Sequence, residues 1–462
     1  GKNSTGLASF GSNVTMDLEG GLYIDNIAKE NSFAIYNSTN IKNDKAMPLK
    51  YNNSAINIDT KGDIFLKSAN NGSIKNAWGN VLSVGIYSET SNKKNAITKL
   101  NAKNVIIENV CHGEEGSSYG IYAVSPKSGE NTVSITADSL FIKSEDVEGY
   151  AGSYAFGIKT QNSNVDITTK NGVLIDAEYG IDTTSKVGTK YSERISNVKI
   201  ESEGTNRIQA TERGISSSGE NVSVSIAGKI NNISAGKVVD SVFYDKDAVN
   251  AREGSKVDIL GSNSNSIHGI VKANGDSTEV NIGGGIDTDG KLVGSGSNFI
   301  ASAGYIEKFD TAEGQTHGTV SAVYTKDGAD INITAGKNGE NYIATDFKFQ
   351  TGDEHDKDSE RTIWAQQGGK INIEGQTTIV NSNPNANTNG TPGNSYGIAV
   401  TAGTGDTDFG SITDFNIEDD ERSTVKINYL DGTDKDGNTV KSSITGDIVS
   451  GYGGLINIQA FD

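Results

Sequence analysis

"YGIYAVSPKSGENTVSITADSLFIKS", residues 119–144, holds three short apolar runs with polar turn residues between them. The runs centre on Gly120-Ile121, on Val133-Ser134-Ile135 and on Leu140-Phe141-Ile142. In the middle run apolar and polar residues alternate with a period of two. That spacing puts Val133 and Ile135 on one face of a strand and Ser134 on the other. Ile121 reads as inward and Gly120 as easing a bend, with Tyr119 packed at a corner and Tyr122 facing outward.

The first run recurs as "AFGIKTQ" (155–161), "EYGIDTT" (178–184), "ERGISSS" (212–218) and "SYGIAVT" (395–401). The middle run recurs more often. It appears at Ile56-Asn57-Ile58, Val165-Asp166-Ile167, Val198-Lys199-Ile200, Val224-Ser225-Ile226 and Val257-Asp258-Ile259. It continues at Val280-Asn281-Ile282, Ile331-Asn332-Ile333, Ile371-Asn372-Ile373, Val425-Lys426-Ile427 and Ile456-Asn457-Ile458. Val14-Thr15-Met16 and Ile97-Thr98-Lys99 read as imperfect copies, so the mean interval from Val14 to Ile456 is near 37 residues. A fixed beat of this length marks a repeat architecture.

Three strands per repeat, each alternating apolar and polar, write the coil of a parallel β-helix. One coil cannot bury its inward side chains alone. Stacked coils set Ile on Ile and Val on Val, and about thirteen of them make a rod of roughly 60 Å. The expectation is an all-β, single continuous β-solenoid over residues 1–462. Because the chain stops just after a strand core, at "GGLINIQAFD", a cut inside a longer solenoid is expected.

Composition sets the outer bounds. The chain has 462 residues, 56 of them Gly and only 4 Pro, with a formal net charge of −19. An acidic balance disfavours nucleic acid and anionic membrane surfaces as partners, since both need a basic footprint. A single cysteine, Cys111, cannot form an internal disulfide. No run approaches the ~18 apolar residues of a membrane span, so no direct membrane insertion of this segment is expected.

Function in a solenoid sits in what interrupts the repeat. Larger insertions are placed near 37–54, 68–83, 301–319, 344–362, 381–395 and 401–424, with shorter loops at 110–118 and 144–155. Several follow the third strand and would share one edge. They carry Trp78, Tyr150, Tyr154, Tyr305, Phe309, Phe347 and Phe349, rings suited to sugar or protein contacts, although rings can equally fold back over the core. Asp353 and His355 stand among them in the acidic run "GDEHDKDSE". Oxygen-rich loops can hold Ca²⁺, and "DGTDKDGN" offers Asp431, Asp434 and Asp436. However, Gly432 stands where the EF-hand spacing needs a ligand, and "DG" is ordinary turn chemistry. No other cofactor is indicated.

Catalytic signals are weak. The four histidines lack metal-ligand spacing, and Cys111-His112 are sequence neighbours rather than a pair assembled from distant positions. Asp166 and Asp258 stand outward on strand cores, but not in adjacent coils, so no carboxylate pair is indicated.

The "GI" strand, the Val/Ile-x-Ile core, the Gly/Asn/Ser-rich turns, the cysteine poverty and the acidity together resemble the passenger of a bacterial type V autotransporter adhesin. The resemblance covers the chain as a style of sequence. It implies a right-handed β-helix, displayed at the bacterial cell surface and anchored through an outer-membrane barrel that these residues do not include. It also implies adhesion: binding of host glycan or protein, or of a neighbouring bacterial surface. A polysaccharide-cleaving β-helix enzyme and a self-associating stalk are the alternatives.

Overall fold

A computed structural model describes residues 3–39, 53–70, 81–90, 94–112, 116–125, 129–146, 154–185, 195–239, 242–283, 296–302, 305–310, 316–336, 339–345, 359–381, 395–401, 423–430, 432–433, 439–440, 442–451 and 454–461. Every regular element among them is a β-strand, so the chain is all-β there. No helix among them is long and apolar enough to cross a membrane. The chain divides into two compact units, Gly1–Gly228 and Lys229–Asp462.

In the first unit the strands pair in parallel with strands one repeat away, and the pairings sort into three ladders. The first ladder runs through Asn3–Phe10, Asn31–Ser38, Val81–Glu89, Gly116–Val124 and Tyr154–Gln161. It continues into the last residues of Asn164–Thr184 and of Thr205–Ser218. The second contains the Val/Ile-x-Ile cores, in register from Val14-Thr15-Met16 to Val224-Ser225-Ile226. The third begins at Leu22–Ala28 and passes through Ile64–Asn70 and Asn104–Cys111. Asn131–Asp146 and Asn164–Thr184 are long because the first feeds the second and third ladders and the second feeds all three, with a register shift at the corner after Ala137.

One sequence assignment shifts by a residue. Ile97-Thr98-Lys99 is not the strand core; Thr98-Lys99-Leu100 is, with Thr98 opposite Ile56 and Leu100 opposite Ile58. Period two then places a threonine inside. Its cost is offset because Asn37 Nδ2 donates to Thr98 Oγ1 at 3.0 Å in the buried interior. Two loop assignments also narrow. Cys111 ends a strand, fully buried beside the Val81 carbonyl, because the alternation of its strand continues through Asn109, Val110 and Cys111. Tyr154 opens the strand Tyr154–Gln161 rather than closing a loop.

The interior of the first unit is a set of aliphatic columns. Ile35, Ile86, Ile121, Ile158, Ile181 and Ile215 are fully buried and lie in register on the first ladder. Each such side chain removed from water contributes roughly 1.5–3 kcal/mol.

The second unit repeats the plan with a different filling. Its second ladder keeps the cores from Val257-Asp258-Ile259 to Ile456-Asn457-Ile458 in register. Its third ladder buries a row of asparagines beside its isoleucine column of Ile267, Ile300, Ile343 and Ile379. Asn231 Nδ2 donates to Asn265 Oδ1 at 2.9 Å, Asn265 to Asn298 at 2.8 Å, and Asn298 to Asn341 at 2.8 Å. Each of the four is fully buried. On the outer side of the second ladder a second amide row runs from Asp258 through Asn281 and Asn332 to Asn372.

Turns between first and second strands share one device. Asn162, Asn221, Glu253, Ser277, Asp327 and Gln367 all stand there with φ between 50° and 60°, a left-handed conformation that non-glycine residues adopt rarely. Three of them precede a glycine with φ near 80°, namely Gly254, Gly328 and Gly368, which gives the two positive φ values of a type I′ turn.

The residues expected to interrupt the repeat fall mostly outside the described set, including 40–52, 71–80, 346–358, 382–394 and 402–422. Within 301–319, Tyr305–Asp310 pairs antiparallel with Thr316–Val320. Gly236–Val239 likewise pairs antiparallel with Val242–Asp245.

Candidate functional site

The first ladder of the first unit carries aromatic residues at two outer positions. The residue two before the motif isoleucine is Phe33, Val84, Tyr119, Phe156 or Tyr179 on successive strands, with Ala34 standing where the others have glycine, and the residue after that isoleucine is Tyr36, Tyr87 or Tyr122 on three of them. Parallel in-register pairing brings like positions about 4.8 Å apart, close enough for rings to touch.

The rings do touch. Tyr36 and Tyr87 stack with centroids 4.9 Å apart, and Tyr87 meets Tyr122 edge-on at 5.4 Å. Tyr119 stacks on Tyr122 at 4.7 Å and on Phe156 at 5.2 Å, and Phe156 stacks on Tyr179 at 4.9 Å. Phe33 closes on Tyr36 at 4.9 Å, and Phe10 extends the row from Tyr36 at 5.2 Å. Each such pair is worth about 0.5–1.5 kcal/mol beyond its buried area. Val84, Tyr119 and Phe156 are buried, and Phe33, Leu82, Tyr87, Tyr122 and Tyr179 pack half-buried against them. Exposure is greatest at the two ends, Phe10 at 46% and Tyr154 at 42%.

Charged groups border the row. Tyr87 Oη donates to Glu89 at 3.4 Å. Lys159 Nζ stands 3.9 Å from the Phe156 ring centroid and 3.2 Å from an Asp182 carboxylate oxygen. The phenols are held protonated: burial, with Glu89 adding to it, pushes Tyr36 up to about 12. The same two causes raise Tyr87 and Tyr122, and burial raises Tyr119. The half-buried members Phe33, Tyr36, Tyr87, Tyr122 and Tyr179 therefore offer neutral rings and hydroxyls, packed on the buried Tyr119 and Phe156, with a carboxylate on one side and a lysine–carboxylate pair on the other.

A smaller aromatic group occupies the first ladder of the second unit, where Tyr324 and Trp364 are buried together at a ring separation of 4.8 Å. The Arg361 guanidinium lies 4.1 Å from the Trp364 ring, and Tyr324 Oη donates to Gln366 Oε1 at 3.0 Å. These rings are closed off from solvent and serve packing.

Of the residues singled out from the sequence, Tyr154 belongs to the aromatic row, 5.8 Å from Tyr179 and 6.2 Å from Phe156. Tyr305 and Phe309 lie on one strand of an antiparallel pair. Trp78, Tyr150, Phe347, Phe349, Asp353 and His355 lie outside the described residues, as do Asp431, Asp434 and Asp436. Gly432–Thr433 and Thr439–Val440 pair antiparallel, as the turn chemistry there suggests. Among the described residues no group of three or more His, Cys, Asp or Glu side chains converges as a metal site requires. Asp166 has Ser134 and Lys199 as its neighbours across the strands. Burial raises its carboxyl, and Lys199 opposes the shift.

The aromatic row carries no loop signal, because its members belong to the repeating strand itself. The signal is in the sequence: an aromatic residue flanks the "GI" pair at 87, 119, 122, 156 and 179, and the equivalent "AI" pair at 33 and 36. No protein-family model, curated protein or solved structure matches this chain.

Proposed function

We propose that this chain is a right-handed parallel β-helix acting as a non-catalytic adhesin of the autotransporter-passenger kind, displayed at a bacterial surface and gripping an extended glycan along the aromatic row of its first ladder. The observation that carries the reading is the contiguous ring contact from Phe10 through Tyr36, Tyr87, Tyr122, Tyr119 and Phe156 to Tyr179. Flat rings accept the apolar faces of sugars, and neutral phenols beside Glu89 and Asp182 supply directional hydrogen bonds. Parallel pairing of like residues across one-repeat steps supports the helical architecture. The aromatic loops read from the sequence stay candidates for further contacts.

The test is a glycan and matrix-protein array probed with the purified chain. Replacing Tyr87 and Tyr122 together with Ser is expected to weaken glycan binding roughly tenfold or more and to leave the β-rich circular dichroism unchanged. Binding unaltered by the double substitution would remove this row from the site. Selective capture of matrix protein would reassign the ligand class.

A further inference from the structure

The third ladder of the first unit presents a different outer face, and we propose that it is a self-association surface on which a second copy of this chain docks antiparallel. The sequence marks it. Its strands read Leu22-Tyr23-Ile24, Ile64-Phe65-Leu66, Val105-Ile106-Ile107, Leu140-Phe141-Ile142 and Val173-Leu174-Ile175, with an apolar residue in the middle. On the second ladder the middle residue is polar. An apolar middle residue belongs to the side away from the core.

Register aligns these residues into a row, Tyr23, Phe65, Ile106, Phe141, Leu174 and finally Arg207. Tyr23 is 65% exposed and stacks flat on Phe65 at 5.1 Å, while the next three are half-buried. A groove of about 460 Å³ lies over Ile106, Phe141, Leu174 and Arg207. Two residues further along each strand runs a charged row, Asp25, Lys67, Glu108, Lys143, Asp176 and then Gln209. Its signs alternate over the five charged positions, and the Lys143 ammonium is held toward its charged form first by Glu145 of its own strand, 2.6 Å away, and then by Asp176 and Glu108. On a chain of net charge −19 this face is locally balanced.

Alternation decides how two such faces meet. A two-fold axis parallel to the strands and passing through the Glu108 position sets Glu108 against Glu108 and each like sign against like. An axis midway between the Glu108 and Lys143 positions reverses this. Glu108 then meets Lys143 of the second copy, and Lys67 meets Asp176. The same axis sets Ile106 against Phe141, Phe65 against Leu174, and Tyr23 against Arg207, a cation over a ring. All six steps pair usefully under one operation, and only a partner with the same ~4.8 Å repeat can match them. Six steps by a five-residue strand give roughly 400 Å² per copy, the size of a transient contact rather than a permanent one.

Sedimentation of the full chain across a concentration series tests this. The expected result is a reversible dimer at high protein concentration. Lys143→Glu should weaken it about tenfold, since it brings carboxylate against carboxylate in two symmetric places. Glu108→Lys combined with Lys143→Glu should restore it, because the pair is exchanged in both copies. Lys199→Glu, on the second ladder, should leave it unchanged, and circular dichroism should show every variant folded. A chain that stays monomeric throughout the series overturns the proposal. So does association insensitive to Lys143→Glu, or a double exchange that fails to restore it.

Discussion

The Cγ2 methyl of Ile142 fills the space that a β-carbon on Gly120 would need, and the Gly157 carbonyl oxygen lies 2.5 Å from that same point. Gly85, Gly157 and Gly180 stand in the same relation to Ile107, Ile175 and Ile208. The glycine of the "GI" motif is thus a notch in the first ladder that receives an isoleucine of the third. Gly120→Ala is expected to cost about 1–3 kcal/mol through overpacking, read as a lowered urea midpoint. Gly20, where a β-carbon would meet nothing within 4 Å, is the control, and Gly20→Ala should change stability by less than about 0.5 kcal/mol. Equal responses at the two positions would contradict the notch.

The buried amide row of the second unit carries a sharper penalty. Asn298 accepts from Asn265 and donates to both Asn341 Oδ1 and the Thr334 carbonyl. Asn298→Leu conserves volume but leaves groups on three neighbours without their partner in a dry interior. The expected loss is about 2–4 kcal/mol, from an unsatisfied group costing ~1–3 kcal/mol each with partial relaxation. Thermal unfolding measures it, and a loss below about 0.5 kcal/mol would show that the row contributes little.

Alkali should loosen the aromatic row of the first unit. Burial and Glu89 push the folded chain's Tyr36 phenol up to about 12, against about 10 for a free tyrosine, so between those values the unfolded chain gives up a proton that the folded chain retains. Stability from this group is fully present below pH ~10 and declines as pH rises toward ~12. That difference corresponds to about 2–3 kcal/mol. Tyr87, Tyr119 and Tyr122 shift in the same direction. Tyrosinate absorbance should therefore lag behind that of the urea-unfolded chain, and Tyr36→Phe should shorten the lag. Coincident titrations of folded and unfolded chain would refute the assignment.

Sequence alone made the second ladder readable almost residue by residue, because Val/Ile-x-Ile satisfies period two with its apolar pair inside. It failed at Thr98, where a buried hydroxyl with an amide partner looks like an outer residue. Nothing in the sequence marks Asn265, Asn298 and Asn341 as buried, because the partners that satisfy their side chains stand one repeat step away. The aromatic row was hidden for a related reason. A tyrosine beside "GI" looks like part of the repeat, and only the register from one strand to the next shows that Tyr36, Tyr87 and Tyr122 touch.

The charged row on the third ladder has a period of two steps, whereas the backbone that carries it has a period of one. Duplicating a single step within that row would leave every hydrogen bond and every aliphatic column intact, yet would put two like charges side by side and reverse the sign of every later position. Duplicating two steps would preserve both patterns. Growth of this chain by repeat duplication is therefore constrained by parity on this face alone, and an even count of inserted steps separates copies that keep their neighbour's pattern from copies that oppose it.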